Sequence, residues 1–590
     1  MASDSLPDSP RPRRTAKKWW KESTVYQVYP ASFKDSNGDG IGDIPGITSK
    51  LDYIKNLGAD IIWLNPIFCS PQIDMGYDVS DYYNIYRPFG TVDDLDRLTA
   101  GIHERGMKLV LDLVVNHTSD QHRWFQEARS SRFNPYRDWY VWKKPTFDAD
   151  GNRRPPNNWK SYFGGSVWEY DDLTGEYYLH LFAKEQPDLN WENPYVRAAV
   201  HDIVRYWLNK GADGFRMDAI NLISKDQSFP DAPVTDPNSR WQDGTKYFAC
   251  GPRLHEYLQG IGKILKQYDA FSVGEMPEIY DLNEILRSVG DDRSELSMVF
   301  HFEIVSLDHG AGGKFTSRTW TLNELKTVVS KWQTYMHNNN GWNALYLENH
   351  DQPRIVSRFG SDTQEHLALS AKMLATFLGF QSGTLFIYQG QELGLPNVPK
   401  TWSLDQYRDI ETLNHWHENQ KSPHPESYLQ EYRLKSRDNA RTPMPWDSSP
   451  NAGFSTAHPW IPVNDNHISL NAATQITQKE SVYNFWASIL HLRKKYPDVL
   501  VYGTFELLDP DHEHVFAYIR RASSAHAIVV MNFKSNEVKW SVPACFQRNG
   551  HGRILLANYT RSLPLDSTIT LRPFESFIWF SDSEHSEARL

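Results

Sequence analysis

Short apolar runs alternate with stretches of helical periodicity along most of the chain, from about residue 22 onward. The runs predict eight strands, at 24–29, 61–64, 107–115, 214–218, 270–273, 298–302, 344–347 and 384–388. Helical patterns lie between them, as at 47–57, 92–105 and 196–210. Eight strands that alternate with helices predict an α/β fold, a (β/α)8 TIM barrel. A doubly wound open sheet is the alternative, but no glycine-rich nucleotide loop follows a strand.

Two regions depart from this alternation. Residues 116–189 are rich in Trp, Tyr, Pro, Gly and Asn and lack helical periodicity, which predicts a subdomain inserted after strand three. From residue 505 the pattern changes to short strands, which predicts a C-terminal antiparallel β domain at 505–590. The remaining segments, 19–115 and 190–504, form the predicted barrel, and 1–18 is a polar tail that we expect to be disordered.

Composition narrows the class of protein. The formal net charge of −11 argues against a nucleic-acid partner, which requires a basic surface. No apolar run approaches the roughly 18 residues of a membrane span, and no apolar leader precedes the barrel, so no membrane association is expected. Aromatic residues make up 13% of the chain, which suits either core packing or stacking on sugar rings.

The cysteines and the C-terminal residues indicate the cellular compartment. Cys69, Cys250 and Cys545 are widely spaced and form no metal or disulfide pattern, so we expect free thiols in the cytoplasm. The final residues, 588–590, read Ala-Arg-Leu, which resembles a peroxisomal address and leaves that compartment as the alternative.

Acidic, basic and amide side chains cluster at the ends of four predicted strands, where a TIM barrel carries its active site. The polar residues at these ends are Asp112, Asn116 and His117; Arg216 and Asp218; Glu275; and Glu348, Asn349, His350 and Asp351. Arg216 and Asp218 are two positions apart and share a face, so we expect Arg216 to lower the pKa of Asp218 and keep it ionised. Several carboxylates without soft metal ligands suit glycoside hydrolysis, in which one acid attacks and another transfers the proton.

These motifs resemble the signature regions of glycoside hydrolase family 13, the α-amylase superfamily. The segments 26–30 (YQVYP), 186–193 (QPDLNWEN), 388–392 (YQGQE) and 440–444 (ARTPM) are similar to its oligo-1,6-glucosidase and maltase branch, and nearest to fungal intracellular α-glucosidases. The resemblance runs from about residue 18 to the C-terminus. It implies a retaining, exo-acting α-glucosidase that takes small α-glucosides such as maltose, malto-oligosaccharides, sucrose and isomaltose.

The resemblance also implies individual roles. Asp218 would be the nucleophile, Glu275 the acid/base and Asp351 the stabiliser of the transition state. Other positions would hold or line the glucose pocket: Asp74, Tyr77, His117, Phe182, Gln186, Arg216, His350 and Arg441. Asp74 and Arg441 would pair with each other and close the pocket beyond the terminal glucose.

A loop at 35–43 (DSNGDGIGD) alternates oxygen-bearing side chains around a glycine, as the start of an EF-hand loop does. The family carries calcium on this loop, and the matching ligands are Asp35, Asn37, Asp39, the Ile41 carbonyl and Asp43. We expect a structural Ca²⁺ there; a turn rich in Asp and Asn without metal is the alternative.

Linkage preference is predicted from one position. Ala219 follows the nucleophile, where family maltases carry Ala or Thr and isomaltases carry Val, so α-1,4 links are expected to be favoured. An isomaltase is the alternative in specificity, and a sucrose isomerase or trehalose-phosphate hydrolase is a further one. A non-catalytic, transporter-associated relative is the alternative class, which the intact carboxylates argue against. The balance of hydrolysis and transglucosylation is left open.

Overall fold

The computed structural model describes residues 16–279, 281–290, 292–543, 552–561 and 567–582. It confirms the barrel: eight strands form one parallel sheet, and each strand except two pairs with neighbours on both sides. The gap between the sixth and seventh strands is bridged by a single backbone pair, Val299 with Asn343. The strands are β1 Thr24–Val28, β2 Ile61–Leu64, β3 Lys108–Val114, β4 Gly214–Asp218, β5 Phe271–Glu275, β6 Met298–Phe300, β7 Ala344–Leu345 and β8 Thr384–Tyr388.

Each strand is followed by a helix on the outside of the barrel. These helices are α1 Leu51–Leu57, α2 Val92–Glu104, α3 Pro194–Asn209, α4 Leu254–Gln267, α5 Leu282–Val289, α6 Leu322–Asn338, α7 Leu367–Gly379 and α8 Val482–Lys495. Local sequence fixes where several of them begin. Thr91 and Asp94 form a reciprocal capping box at the start of α2, and the Asn193 side chain caps α3 ahead of Pro194.

Two strands differ from their predicted bounds in ways that shape the site. β5 extends to Glu275, so this acid lies on the strand itself. β7 is only two residues long because the chain turns back after it, with Asn349 bridging Gln352. Asp351 therefore lies in a tight turn, and its backbone N–H donates to the Asn349 side chain at 2.8 Å.

The barrel interior is filled by side chains, which form the floor of the site. Trp63 of β2 stacks on Phe300 of β6 with ring centroids 5.7 Å apart. Val110, Phe271 and Val273 belong to the same buried cluster. The floor beneath the polar groups at the strand ends is therefore apolar and buried.

The inserted segment contains a helix that the sequence did not predict. Arg123–Ser130 is helical, is capped by the His122 side chain, and buries Phe125 and Ala128. Two turns are too short to show a clear period within an aromatic-rich segment. The rest of the insert includes a three-stranded antiparallel sheet of Trp142–Lys143, Glu176–Leu179 and Trp168–Asp171.

The C-terminal strands form an antiparallel domain, as predicted. They are β9 Thr504–Leu508, β10 Val515–Arg521, β11 Ala525–Asn532, β12 Val538–Ser541, β13 Arg553–Ala557, β14 Thr568–Leu571 and β15 Ser576–Asp582. Five of them pair in the order β9-β10-β11-β15-β13, and β12 pairs with β14, a strand that the sequence did not predict. Residues 1–15, Cys545 and the tripeptide 588–590 lie outside the described residues, while Cys69 and Cys250 are free thiols.

One arginine connects this domain to the barrel. Arg520 of β10 is fully buried, and its guanidinium donates to the carbonyls of Phe380, Leu500 and Gly503 at 2.8, 3.2 and 2.7 Å. Phe380 follows α7, so a barrel loop and the chain entering the C-terminal domain are held by one side chain. Each of these bonds satisfies a carbonyl in an interior where unpaired polar groups are costly.

Candidate active site

Arg216 stands at the centre of the polar cluster above the barrel floor. Its Nη1 donates to Asp112 at 2.9 Å and to Asp218 at 2.7 Å, and its Nη2 lies 2.8 Å from Glu275. The contact with Asp218 confirms that residues two apart on β4 share a face. One guanidinium thus joins carboxylates from β3, β4 and β5.

Solvent exposure separates these acids into two groups. The side chains of Asp112 and Arg216 are 0% and 1% exposed, whereas those of Asp218, Glu275 and Asp351 are 10%, 12% and 24% exposed. Asp112 also accepts hydrogen bonds from Trp63 and Tyr77, at 3.3 and 3.0 Å. Asp112 therefore supports the site from beneath, and the three predicted catalytic acids face its opening.

The pKa values correct one expectation from the sequence. Burial raises the pKa of Asp218 to about 7, and Arg216 only partly opposes this effect. Burial likewise raises the pKa of Glu275 to about 7 and that of Asp112 to about 6. Since one guanidinium is shared among three carboxylates, the cluster retains a proton near neutral pH, and the three acids titrate together.

Asp351 differs from these three acids, because its surroundings favour the ionised form. Although burial raises its pKa, His350, Arg437 and Arg441 outweigh that effect and hold the pKa of Asp351 well below its usual range. His350 Nε2 lies 2.9 Å from its carboxylate, and Arg441 and Arg437 lie at 2.9 and 3.3 Å. The site therefore combines one acid whose ionised form is stabilised with a cluster of three carboxylates that retains a proton.

Tyr77 and His350 form one wall of the pocket. Their rings stack with centroids 5.2 Å apart, and the Tyr77 hydroxyl lies 2.6 Å from His350 Nε2. Gln27 of β1 lies 3.0 Å from the other ring nitrogen of His350. These contacts fix the orientation of both rings.

Residues from the insert complete the pocket. Gln186 donates to Asp74 at 3.2 Å and lies 3.2 Å from His117 Nε2. The His117 ring lies 5.1 Å from the ring of Phe182. The structure thus brings together all the sugar-pocket residues that the resemblance implied.

The ion pair formed by Asp74 differs from the expected one. Asp74 pairs with Arg437 at 3.0 Å, whereas Arg441 pairs with Asp351. Arg437 also contacts Asp409 at 2.7 Å, and Asp409 is fully buried. Arg437 was missed from sequence. Its position four residues before Arg441, on the same helical face, is the signal that could have found it.

Ala219 adopts a left-handed backbone conformation, with φ 40° and ψ 39°, and is 2% exposed. Its N–H donates to Glu275 Oε2 at 3.3 Å. The residue after Asp218 therefore helps to place Glu275, which the sequence did not indicate.

The 35–43 loop is organised by its own side chains. The Asp35 carboxylate accepts the N–H groups of Asn37, Gly38 and Gly40 at 2.9, 2.7 and 2.9 Å. Burial raises the pKa of Asp35, but these bonds and one from Ser455 outweigh it and lower the pKa overall. Gly40 has φ +91°, as the glycine turn of such a loop requires.

The chain is similar to known proteins over most of its length. The α-amylase catalytic domain family matches residues 27–503, and the maltogenic amylase C-terminal domain family matches 505–578. An α-glucosidase of Schizosaccharomyces pombe is 52% identical, covering 95% of this chain and 97% of that protein. An oligo-1,6-glucosidase of Parageobacillus thermoglucosidasius is 47% identical, covering 95% and 98%. The crystal structure of Bacillus licheniformis trehalose-6-phosphate hydrolase has a TM-score of 0.88 at 42% identity, covering 96% and 100%.

Proposed function

The chain belongs to the α-amylase family of glycoside hydrolases, and from its site we propose a retaining, exo-acting α-glucosidase that releases α-glucose from small α-glucosides. The observation that carries this proposal is the Arg216 cluster. It holds Asp218 and Glu275 on neighbouring strands, with the ionised Asp351 at the same opening. This is the set of carboxylates that double displacement at an anomeric carbon requires.

In the proposed reaction, an Asp218 oxygen attacks the anomeric carbon while Glu275 gives its proton to the departing glycosidic oxygen. A glycosyl-enzyme forms, and Glu275, now ionised, takes a proton from water as that water attacks the same carbon. Asp218 leaves with the electrons of the ester bond, and the configuration is retained. Asp351 stabilises the positive charge of the transition state.

The raised pKa values support this division of labour. The Arg216 cluster retains a proton, and Glu275 is the acid that has to carry it when substrate binds. Arg216 contacts Asp218 at 2.7 Å, and this ion pair stabilises the ionised form of Asp218. A neutral Glu275 beside an anionic Asp218 is the state that the first step needs.

The Asp74–Arg437 pair supports exo action. Asp74 contacts Gln186, and Arg437 contacts both Asp351 and the buried Asp409. Through Gln186 this network also reaches His117, one of the residues proposed to hold the terminal glucose, and we infer that it blocks a further sugar unit. A pocket closed in this way admits one terminal glucose.

The direct test is a product time course on equal maltose, isomaltose and sucrose. Release of glucose from maltose at the highest kcat/KM supports the α-1,4 preference. Preferred release from isomaltose supports the isomaltase alternative. Conversion of sucrose to an isomer without net hydrolysis would overturn the hydrolase, and absence of any turnover would favour the non-catalytic class. Disaccharides and trisaccharides that accumulate at high maltose would report transglucosylation.

Ala219→Val should lower the maltose-to-isomaltose ratio of kcat/KM by roughly 10-fold or more. A β-branched side chain crowds the space beside the nucleophile, and it also strains a backbone at positive φ. Ala219→Gly is the matched control, since it relieves the same φ and adds no bulk. A ratio that is unchanged in the valine variant would show that Ala219 does not set linkage preference.

The 35–43 loop is proposed to bind a structural Ca²⁺. Its donors are all oxygen, and a glycine stands at the sixth position, as calcium loops require. Among the residues that the structure describes, no three His, Cys, Asp or Glu side chains form a metal-binding group. The ion would therefore need the Asn37 amide and the Ile41 carbonyl in addition to Asp35, Asp39 and Asp43.

Excess chelator should lower the melting temperature by several degrees and leave initial activity intact, because an ion bound only to the folded state stabilises it. Asp39→Asn removes one exposed ligand, and its melting temperature should respond less to chelator. Calorimetry with elemental analysis measures both effects. An unchanged melting temperature together with no bound calcium would contradict the proposal.

The proposed location is the cytoplasm. Within the described ranges, no helix has the length and apolar character to span a bilayer. Imaging of the chain with and without residues 588–590 distinguishes the cytoplasm from the peroxisomal alternative.

A further inference from the structure

A buried lysine outside the predicted site joins three parts of the fold next to the sugar pocket. Lys225 is 3% exposed and follows β4. Its ammonium donates to Asp188 at 2.9 Å, to Asn116 Oδ1 at 3.1 Å and to the Leu222 carbonyl at 2.6 Å. All three of its N–H donors are therefore used.

The partners of Lys225 come from both sides of the insert. Asn116 follows β3, and Asp188 lies at the far end of the insert, where its backbone bridges His117. Asp188 also accepts the Leu181 N–H at 3.0 Å and the Asn116 amide at 3.2 Å. Neutralising Asp188 would be a sufficient structural reason for a lysine here, but it does not account for the contact with Asn116.

The contact with Asn116 decides which way that amide points. An ammonium has donors only, so the Asn116 atom that faces it has to be the carbonyl oxygen. The amide nitrogen is then directed toward Asp188 and toward His117 Nδ1, which lies 3.2 Å away. Lys225 therefore removes the usual ambiguity between the two ends of an asparagine side chain.

The orientation of Asn116 in turn decides where His117 carries its proton. Burial lowers the pKa of His117, so the ring is neutral and has one N–H. Nδ1 faces an amide donor and must accept, which places the proton on Nε2. There it donates to the Tyr77 carbonyl, 3.1 Å away, which can only accept; the Gln186 amide nitrogen, 3.2 Å from Nε2, donates to Asp74 instead.

We propose that Lys225 is a positioning residue that, through Asn116, fixes His117 as the Nε2–H tautomer, whose hydrogen bond to the Tyr77 carbonyl holds Tyr77 in place beside the terminal glucose. This role rests on the proposed function, because it assumes that the pocket holds glucose. The opposite tautomer would present a lone pair to the Tyr77 carbonyl, which cannot donate.

The test uses two variants of the whole chain. Lys225→Met combined with Asp188→Asn removes the ammonium without leaving a buried carboxylate alone, a change that would otherwise endanger folding. Asn116→Asp keeps Lys225 and places a carboxylate oxygen against Nδ1. Both should move the His117 proton toward Nδ1, as read from the ring nitrogen shifts of ¹⁵N-histidine-labelled protein, with His117→Gln to assign the signal.

Both variants should also lose about 10- to 100-fold in kcat/KM on 4-nitrophenyl α-glucoside, mainly through KM, because the hydrogen bond that holds Tyr77 beside the bound sugar is lost. Lys326→Met is the matched control. Lys326 is a buried lysine that donates to the carbonyls of Asp509, Pro510 and His512, so its loss should lower stability without changing the His117 signal or KM.

The two readouts separate the inference from the function on which it rests. Tautomer signals are recorded without substrate. If the proton moves as expected but the parent chain hydrolyses no α-glucoside, the proposed function fails and the tautomer assignment stands. If the Nε2–H signal persists in both variants, or KM stays within twofold of the parent, the inference is overturned.

Discussion

Asp218→Asn should abolish turnover of both maltose and 4-nitrophenyl α-glucoside, with a loss on the order of 10⁴-fold or more. An amide cannot form the glycosyl-enzyme, and no other described carboxylate in the Arg216 cluster shares its position at the end of β4. Arg216 keeps Asp112 and Glu275 as partners, so the fold should survive. Circular dichroism and melting temperature check the fold, and steady-state kinetics measure the loss.

Glu275→Gln is the complementary variant, because it removes the proton donor and leaves the nucleophile Asp218 in place. The kcat/KM for maltose should fall by roughly 10²- to 10⁴-fold, and that for the aryl glucoside by much less, since kcat/KM reports the first step and the aryl leaving group needs no proton. The parent should lose activity as pH rises through about 7, where the carboxylates around Arg216 give up the proton that they share. This alkaline limb should be absent in the variant's first step with the aryl substrate.

Stereochemistry decides whether these roles are assigned correctly. Double displacement releases α-glucose first, and proton NMR of the earliest product distinguishes it from the β anomer. β-Glucose as the first product would mean inversion and would refute Asp218 as the nucleophile. Equal losses on both substrates in the Glu275 variant would argue against an acid/base role.

Arg437→Met should lower kcat/KM on maltose by about 10²-fold or more and destabilise the fold by about 3–5 kcal/mol. The substitution leaves Asp74, Asp351 and the buried Asp409 without their shared cation. Arg441 still contacts Asp351, so the stabiliser keeps one partner while the pocket wall at Asp74 loses its own. Kinetics on maltose and thermal unfolding measure the two effects.

Arg433→Met is the matched control for this variant. Arg433 lies four residues earlier, is half-buried, and donates to the Trp402 carbonyl, at 2.7 and 3.1 Å. Its loss removes the same charge from the same region without touching the pocket. Comparable kinetic losses in the two variants would mean that Arg437 has no special part in the pocket.

The strands and the acids at their ends could be predicted from sequence because both depend on local pattern. An apolar run of four or five residues predicts a strand, and the barrel places Asp218 and Glu275 at one end of it. The pairing of Asp74 could not be predicted in this way. Arg437 and Arg441 both contact Asp351, and the tertiary structure decides that Arg437, which also contacts the buried Asp409, is the one that reaches Asp74.

The protonation states of the carboxylates around Arg216 could not be predicted from the sequence either. The motif places Arg216 beside Asp218, which alone predicts an ionised acid. The number of other carboxylates that share the guanidinium, and their burial, depend on how β3, β4 and β5 lie side by side. The Ala219 conformation is another case, because a left-handed alanine carries no signal in its residue type.

Arg520 bears on whether the barrel can be prepared without the C-terminal domain. Its side chain belongs to the C-terminal domain, but the carbonyls it satisfies belong to the barrel and to the segment that leaves it. A chain truncated between the two family domains, near residue 504, would lose the donor and keep the acceptors. We therefore expect the isolated barrel to be less stable than the whole chain, because buried carbonyls would be left without a partner.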